Sequence, residues 1–141
     1  MKTIRNILLA CAILSCVSMP VWGMERCRYT IDNKGLLDLR CRKLTTENLH
    51  AILINIIDKG FADMVKVLDL SFNKLTELPA EIGQLTNIEW LYLNFNNLAF
   101  LPLEIGQLTK LKKLYLMGNP QFIDLPAVLL ERINAKKLKI Q

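Results

Sequence analysis

The sequence contains 141 residues, which is enough for one domain and too few for two. It carries 18 basic and 13 acidic side chains, and this formal net charge of +5 excludes a strong polyelectrolyte. Hydrophobic residues make up 52% of the chain and aromatic residues only 7%. The excess is mostly Leu and Ile, as expected when many short units each contribute aliphatic side chains to a shared core.

The first residues predict a secretory signal peptide. Lys2 and Arg5 give the start a positive charge, and an apolar run spans 7–17. Val21 and Gly23 occupy the −3 and −1 positions of a cleavage site after position 23. The run is too short to cross a bilayer, which takes about 20 residues. We therefore interpret 1–23 as a segment removed on export.

Two alternatives remain open for this segment. It is retained as an uncleaved anchor, or it is cut before a lipid-carrying cysteine. Cys16 follows Ile13-Leu14-Ser15, which loosely resembles a bacterial lipobox, although Leu14 is atypical at its position. A lipid on Cys16 would tether the protein to a membrane.

Cleavage after position 23 leaves two cysteines, Cys27 and Cys41. In an exported protein this pair predicts one disulfide, and closing so short a loop contributes about 3 kcal/mol. The alternative is two free thiols. The intervening segment predicts a hairpin that turns through 32–35, which brings the two cysteines opposite each other.

A helix follows the hairpin. Its apolar residues recur at spacings of three and four, so they line one helical face: Leu49, Ile52, Leu53, Ile56 and Ile57. Thr45 or Thr46 is suited to cap its start and Gly60 to end it.

Internal periodicity determines the rest of the interpretation. Residues 65–87 and 88–110 share the pattern LxxLxLxxNxLxxLPxxIGxL at a spacing of 23. A weaker copy begins at Leu111 and contains one inserted residue, and Pro126 predicts a brief helix up to Ile133. The predicted divisions are a signal peptide (1–23), a cap hairpin with a helix-containing first repeat (24–64), two repeats (65–87, 88–110), and a degenerate repeat with its cap (111–141).

The repeat has a physical explanation. In each LxL the two leucines point the same way from a short strand, and stacking the strands in parallel at about 4.8 Å joins them into one core. The chain must then bend sharply, which leaves backbone groups unpaired inside the bend. Asn73, Asn96 and Asn119 stand there, and an Asn side chain supplies both donors and an acceptor. We predict a structural role for these three asparagines.

The pattern resembles leucine-rich repeats of the 23-residue LPxxIGxL class, which occur in Ras-suppressor-like proteins, plant Ras-group repeat proteins and many bacterial repeat proteins. The resemblance implies an α/β solenoid with a parallel concave sheet. Here that solenoid is short, with a helical N-terminal unit and a short C-terminal helical cap. The family binds proteins, and less often other ligands, on the concave sheet. Family members usually have many more units, so a large wrap-around surface is not expected.

The residues that point away from the core are the candidate partner-binding residues. They are Asp69, Trp90, Tyr92, Asn94, Lys113, Tyr115 and Met117. The three aromatic residues among them are expected to form one exposed patch, which favours a protein interface. The alternative is that they merely cover the sheet. Phe72 and Phe95 follow at the edge, and we expect them to pack inward beside the asparagines.

The sequence predicts neither catalysis nor a cofactor. Beyond residue 23 it has one His, His50, and one Ser, Ser71, and it lacks hydrolase, zinc-protease and phosphate-loop motifs. One His and two separated Cys do not make a metal site. Nucleic-acid binding is not expected either, because no aromatic–Arg signature accompanies the lysines.

The sequence therefore predicts an exported module, secreted or periplasmic, that binds a protein partner. A secreted effector-type protein is one form that such a module takes. The alternative is an envelope-associated lipoprotein or membrane-surface scaffold, held by a lipid or by its basic end. The lysines of that end are Lys110, Lys112, Lys113, Lys136, Lys137 and Lys139.

Overall fold

A computed structural model describes residues 29–135 and 137–141. Five short strands form one parallel sheet in chain order. They are β1 (Leu36–Asp38), β2 (Val67–Asp69), β3 (Trp90–Tyr92), β4 (Lys113–Tyr115) and β5 (Lys139–Ile140). The central leucines are in register across the first four strands, and Ile140 of β5 pairs with Leu114. The predicted α/β solenoid with a parallel sheet is confirmed.

The core follows from the LxL pattern. Leu68 and Leu70 are buried on one side of β2, whereas Asp69 between them points the other way. The same arrangement recurs in the other coils, and the leucines join into a single cluster. Because each coil buries its leucines against the coil before and the coil after, no unit holds its core alone.

The first unit contains the predicted hairpin and helix. An antiparallel bridge joins Ile31 to Leu37, and the intervening turn is held by Asp32 Oδ1, which accepts from the backbone N–H of Leu36 at 2.8 Å. Helix α1 (Thr46–Asp58) begins after Thr45, whose hydroxyl accepts from the N–H of Asn48. Thr45 rather than Thr46 is therefore the cap.

The two regular repeats replace this helix with a turn of 3-10 helix, at Ala80–Gln84 and Leu103–Gln107. A proline precedes each one, at a position where the sheet needs no hydrogen bond from a backbone N–H. Gly83 shows how closely the coils pack, since a Cβ added there would lie 2.8 Å from the carbonyl oxygen of Glu104.

The C-terminal unit closes the solenoid with helix α2 (Ala127–Asn134), in agreement with the predicted brief helix. Leu129 of this helix is buried in the core. The guanidinium of Arg132 donates to the carbonyls of Leu108, Thr109 and Leu111 at 2.6–3.2 Å. Burial lowers the pKa of Arg132. Arg132 thus satisfies carbonyls of the preceding coil, and the sequence pattern alone did not identify it.

Several sequence predictions lie outside the described residues. These are the signal peptide, the lipid on Cys16 and the position of Cys27. Cys41 is exposed, and its disulfide with Cys27 stays a prediction. Within 29–135 and 137–141, no helix has the length and apolarity needed to cross a membrane.

Candidate binding surface

The outward side chains of β2, β3 and β4, with Asn94 and Met117 beyond the strand ends, form one surface, here called the open face. The parallel register places Val67, Trp90 and Lys113 in one row, and Asp69, Tyr92 and Tyr115 in the next. Beyond the strand ends, a third row contains Ser71, Asn94 and Met117, of which Ser71 is buried, Asn94 is half-buried and Met117 is exposed. All seven candidate partner-binding residues therefore lie on this face.

The two tyrosines of the open face stack on each other. The rings of Tyr92 and Tyr115 lie 4.4 Å apart between centroids, with an interplanar angle of 11°. Burial raises the pKa of Tyr92, and the neighbouring Tyr115 hydroxyl adds to the effect. Since each ring covers a face of the other, the two rings hold each other in position on the open face.

Trp90 is the exposed aromatic residue of the open face. Its side chain is 37% exposed, and the ammonium of Lys113 lies 4.7 Å from the centroid of its ring. A cation at this distance is attracted by the electron-rich face of the indole. Trp90 is therefore held in position by its neighbour while part of its surface remains exposed.

The acidic and polar candidates are partly engaged within the protein. Asp69 accepts from the N–H of Ser71 at 3.0 Å, and Arg40 Nε lies 3.6 Å from its other carboxylate oxygen. Arg40 also pairs with Asp38 at 2.7 Å and lowers the pKa of that carboxyl. Asn94 accepts from the N–H of Met117 at 3.0 Å. Asp69 and Asn94 thus organise the strand ends as well as facing solvent.

The expectation for Phe72 and Phe95 was wrong. Instead of packing inward, the two rings are 54% and 43% exposed and stack on each other with centroids 4.6 Å apart. The reason is the backbone, which is left-handed at both residues, with φ of 59° and 54°. This conformation is uncommon for bulky residues, and here it coincides with side chains directed away from the core.

A sequence signal for this geometry was present at the next repeat. Gly118 occupies the position of Phe95 one unit later, and its φ is 74°. Glycine is the residue best suited to positive φ, so its appearance there marks the left-handed bend of every coil. A Cβ on Gly118 would lie 2.5 Å from the ring of Phe95, which shows that this ring extends over the last coil.

The asparagines that follow these bends are buried. The side-chain amide of Asn73 donates to the carbonyls of Leu39 and Leu70 at 2.9 and 2.8 Å, and its oxygen accepts from the N–H groups of Arg42 and Leu44. Asn96 and Asn119 bond in the same way to their own coil and to the one before.

Comparison with known proteins agrees with this architecture. The family model described as "Leucine rich repeat" matches residues 63–120. Those residues contain the coils whose central leucines stack in register and whose asparagines bridge one coil to the next. Residues 63–120 of the chain are therefore leucine-rich repeats.

Among solved structures, this leucine-rich-repeat protein is similar to a leucine-rich-repeat protein of Leptospira interrogans. The two are 41% identical, with a TM-score of 0.45, over 56% of this chain and 20% of that one. This chain thus spans about a fifth of the length of its solved neighbour. None of the curated proteins with which it was compared matches it.

The remaining candidates for chemistry in this leucine-rich-repeat protein are dispersed. His50 lies on α1, where its Nδ1 is 3.0 Å from Glu81 Oε2 of the next coil. Cys41 lies next to the strand ends and has no acid–base partner among the hydrogen bonds of the described residues. Within the described part of the chain, no three His, Cys, Asp or Glu side chains are grouped to hold a metal ion. The open face is therefore the best-defined candidate site.

Proposed function

We propose that this leucine-rich-repeat protein is an exported module that holds a partner protein on its open face. The observation that carries the proposal is the set of stacked aromatic side chains on that face. On the open face Tyr92 stacks on Tyr115 and Trp90 is held against Lys113, and beyond the strand ends Phe72 stacks on Phe95. Large rings fixed before binding lose little conformational freedom in an interface, so they favour affinity.

The size of the face limits the strength of the contact. The whole sheet of five strands spans about 19 Å at a spacing of about 4.8 Å, and with about 15 Å of strand length its area is roughly 300 Å², of which the open face is only a part. A standard interface buries about 800 Å² per partner. The exposed Phe72 and Phe95 extend the face beyond the strand ends, and we propose that they form part of the contact.

Site-specific crosslinking tests this proposal in native extract. A photoreactive phenylalanine analogue replaces Met117 on the open face or Thr86 on the opposite edge of the coil, and both side chains are exposed. We expect one partner protein to be crosslinked from position 117 and not from position 86. Addition of Trp90→Ala and Tyr92→Ala should remove that product. Equal crosslinking from both positions would contradict the proposal.

Export is the second part of the proposal, and it is supported by the positive start and short apolar run of 1–23. Intact-mass measurement of the protein recovered from its native source tests it. A chain that begins at Met24 without lipid agrees with release into the periplasm or medium. A chain that begins at a diacylated Cys16 indicates the alternative, an envelope lipoprotein. A mass that includes Met1 contradicts export by cleavage.

A further inference from the structure

A second surface lies on the turns that follow the strand ends. Residues 76–84, 99–107 and 123–131 form three successive turns that run side by side. The first two contain the 3-10 helices, and the third contains the start of α2. Backbone hydrogen bonds connect them, from the N–H of Ala99 to Thr76 at 3.3 Å and from the N–H of Ile123 to Ala99 at 3.0 Å. Their positions correspond at spacings of 23 and then 24 residues, because of the single inserted residue.

The last two turns expose large apolar side chains. Ile123 is 86% exposed, Leu103 is 78% exposed and Phe100 is 53% exposed. The corresponding positions of the first turn are occupied by Thr76, Ala80 and Glu77, respectively. The first two turns share a 3-10 backbone, so the fold does not require Phe100 and Leu103 there. The position of Ile123 is likewise occupied by Thr76 and Ala99 in the two earlier turns. Exposed apolar groups that the fold does not need point to a contact with another molecule.

The charges around these residues have one sign. The three turns contain five acidic residues and no Lys or Arg: Glu77, Glu81, Glu104, Asp124 and Glu131. Glu77 and Asp124 are exposed at the positions that flank Phe100 in its row, and Glu81 is engaged with His50. Lysines lie instead near the starts of the strands, at Lys66, Lys110, Lys112 and Lys113. The three turns thus carry an excess of negative charge, although Lys74 precedes the first turn and Arg132 follows the last, and Glu89 lies among the lysines at the strand starts.

We propose that these three turns, here called the acidic-apolar face, dock a cationic amphipathic segment of a protein. Its apolar side would cover Phe100, Leu103 and Ile123, and its Lys or Arg side chains would meet Glu77 and Asp124. Charge complementarity identifies the occupant, since like charges repel an anionic lipid surface from this face. This contact is separate from the open face, and it does not depend on the function proposed for that face.

Two peptides that differ only in charge test the assignment. Each is an 18-residue fluorescein-labelled amphipathic helix with leucines on one side, and the other side carries Lys in one peptide and Glu in the second. Fluorescence anisotropy measures binding to the full chain at low salt and at about 0.5 M salt. We expect the Lys peptide to bind and the Glu peptide not to bind, with weaker binding at high salt because surface charges are screened.

Three double variants locate the contact. Leu103→Ser with Ile123→Ser should reduce the affinity for the Lys peptide at least about tenfold. Glu77→Gln with Asp124→Asn should reduce it several-fold at low salt and little at high salt. Trp90→Ala with Tyr92→Ala is the control on the open face and should bind normally. Far-UV circular dichroism checks that each variant keeps its fold. The side chains substituted in the first two variants are exposed, so we expect these variants to fold normally.

Four results would overturn the assignment. These are failure of the Lys peptide to bind, equal binding of the Glu peptide, unchanged affinity in the first two variants, and loss of binding in the control. Sedimentation velocity adds a fifth. If the wild-type chain associates with itself and Leu103→Ser with Ile123→Ser makes it monomeric, then the occupant is a second copy of the chain and the cationic-segment assignment is wrong.

Discussion

The phenylalanines and asparagines at the strand ends are adjacent in sequence and meet opposite environments. Asn73 and Asn96 are buried, and each bonds to backbone groups of two coils. Phe72 and Phe95 come one residue earlier, are exposed, and contact each other. The Asn recurs in the next coil as Asn119, whereas the Phe is replaced there by Gly118.

This difference separates what the fold needs from what it permits. The bend needs a left-handed residue, and Cys41, Phe72, Phe95 and Gly118 all have positive φ. In the three later coils an asparagine follows this residue. A glycine would meet that backbone requirement with less strain than phenylalanine. The Phe side chains are therefore available for another role, and the Asn side chains are not. Substitutions at the two positions should separate stability from binding.

The largest expected effect is on the buried side of the comparison. Asn96→Ala removes an amide that donates to Leu70 and Leu93 carbonyls and accepts from the N–H of Leu75. These buried backbone groups lose their partner, so we expect unfolding in urea to lose about 2–4 kcal/mol. Asn97→Ala is the control, because Asn97 is the exposed next residue. If both variants are equally stable, the Asn ladder does not hold the coils together.

Most of the fold was predictable from the sequence, because spacing directly reports which side chains share a face. The period of 23 gave the parallel strands, and the spacing of Leu49, Ile52, Leu53 and Ile56 gave the face of α1. The direction of a side chain at a bend depends on φ, which the apolar pattern does not report, and so the exposure of Phe72 was missed.

The candidate site was less predictable than the fold. The outward positions of the strands were evident from alternation, but the Tyr92–Tyr115 stack depends on rotamers chosen in three dimensions. Arg132 was missed for a related reason. It meets the carbonyl of Leu108, 24 residues earlier, only because α2 folds back over the preceding coil.

A smaller loss of stability is expected at the C-terminal end. Arg132→Met keeps the apolar length of the side chain but leaves the carbonyls of Leu108, Thr109 and Leu111 without their charged donor. We expect a loss of about 1–3 kcal/mol in urea unfolding. Lys137→Met is the control, because Lys137 is exposed nearby. This variant extends the comparison, since Arg132 acts on carbonyls as the asparagines do. A loss no larger than in the control would mean that water forms hydrogen bonds to these carbonyls as well as Arg132 does.

On the exposed side of the comparison, stability should change little. Phe95→Gly loses the stack with Phe72, worth about 0.5–1.5 kcal/mol, but relieves a left-handed backbone at a cost of about 1–3 kcal/mol. Glycine also raises the conformational entropy of the unfolded chain, which offsets part of this relief. We therefore expect the free energy of unfolding in urea to change by no more than about 1 kcal/mol. Crosslinking of the partner from position 117 should nevertheless decrease. A loss of several kcal/mol would place Phe95 with the buried asparagines as a residue that the fold needs.

The smallest expected effect concerns the ion pair between neighbouring coils at the strand starts. Lys112 Nζ lies 2.7 Å from Glu89 Oε2, and this hydrogen bond lowers the pKa of Glu89. A carboxyl whose pKa is lower in the folded protein stabilises it above the unfolded pKa of about 4.3, and the contribution is lost as the pH falls through the folded value. Lys112→Met should therefore raise the pKa of Glu89 in an NMR titration. It should also reduce stability slightly at pH 7 but not at pH 2. Because both side chains are largely exposed, the contribution is small and screened by salt. An equal loss of stability at both pH values would show that Lys112 acts through packing of its aliphatic stem, as a buried residue does, and not through charge.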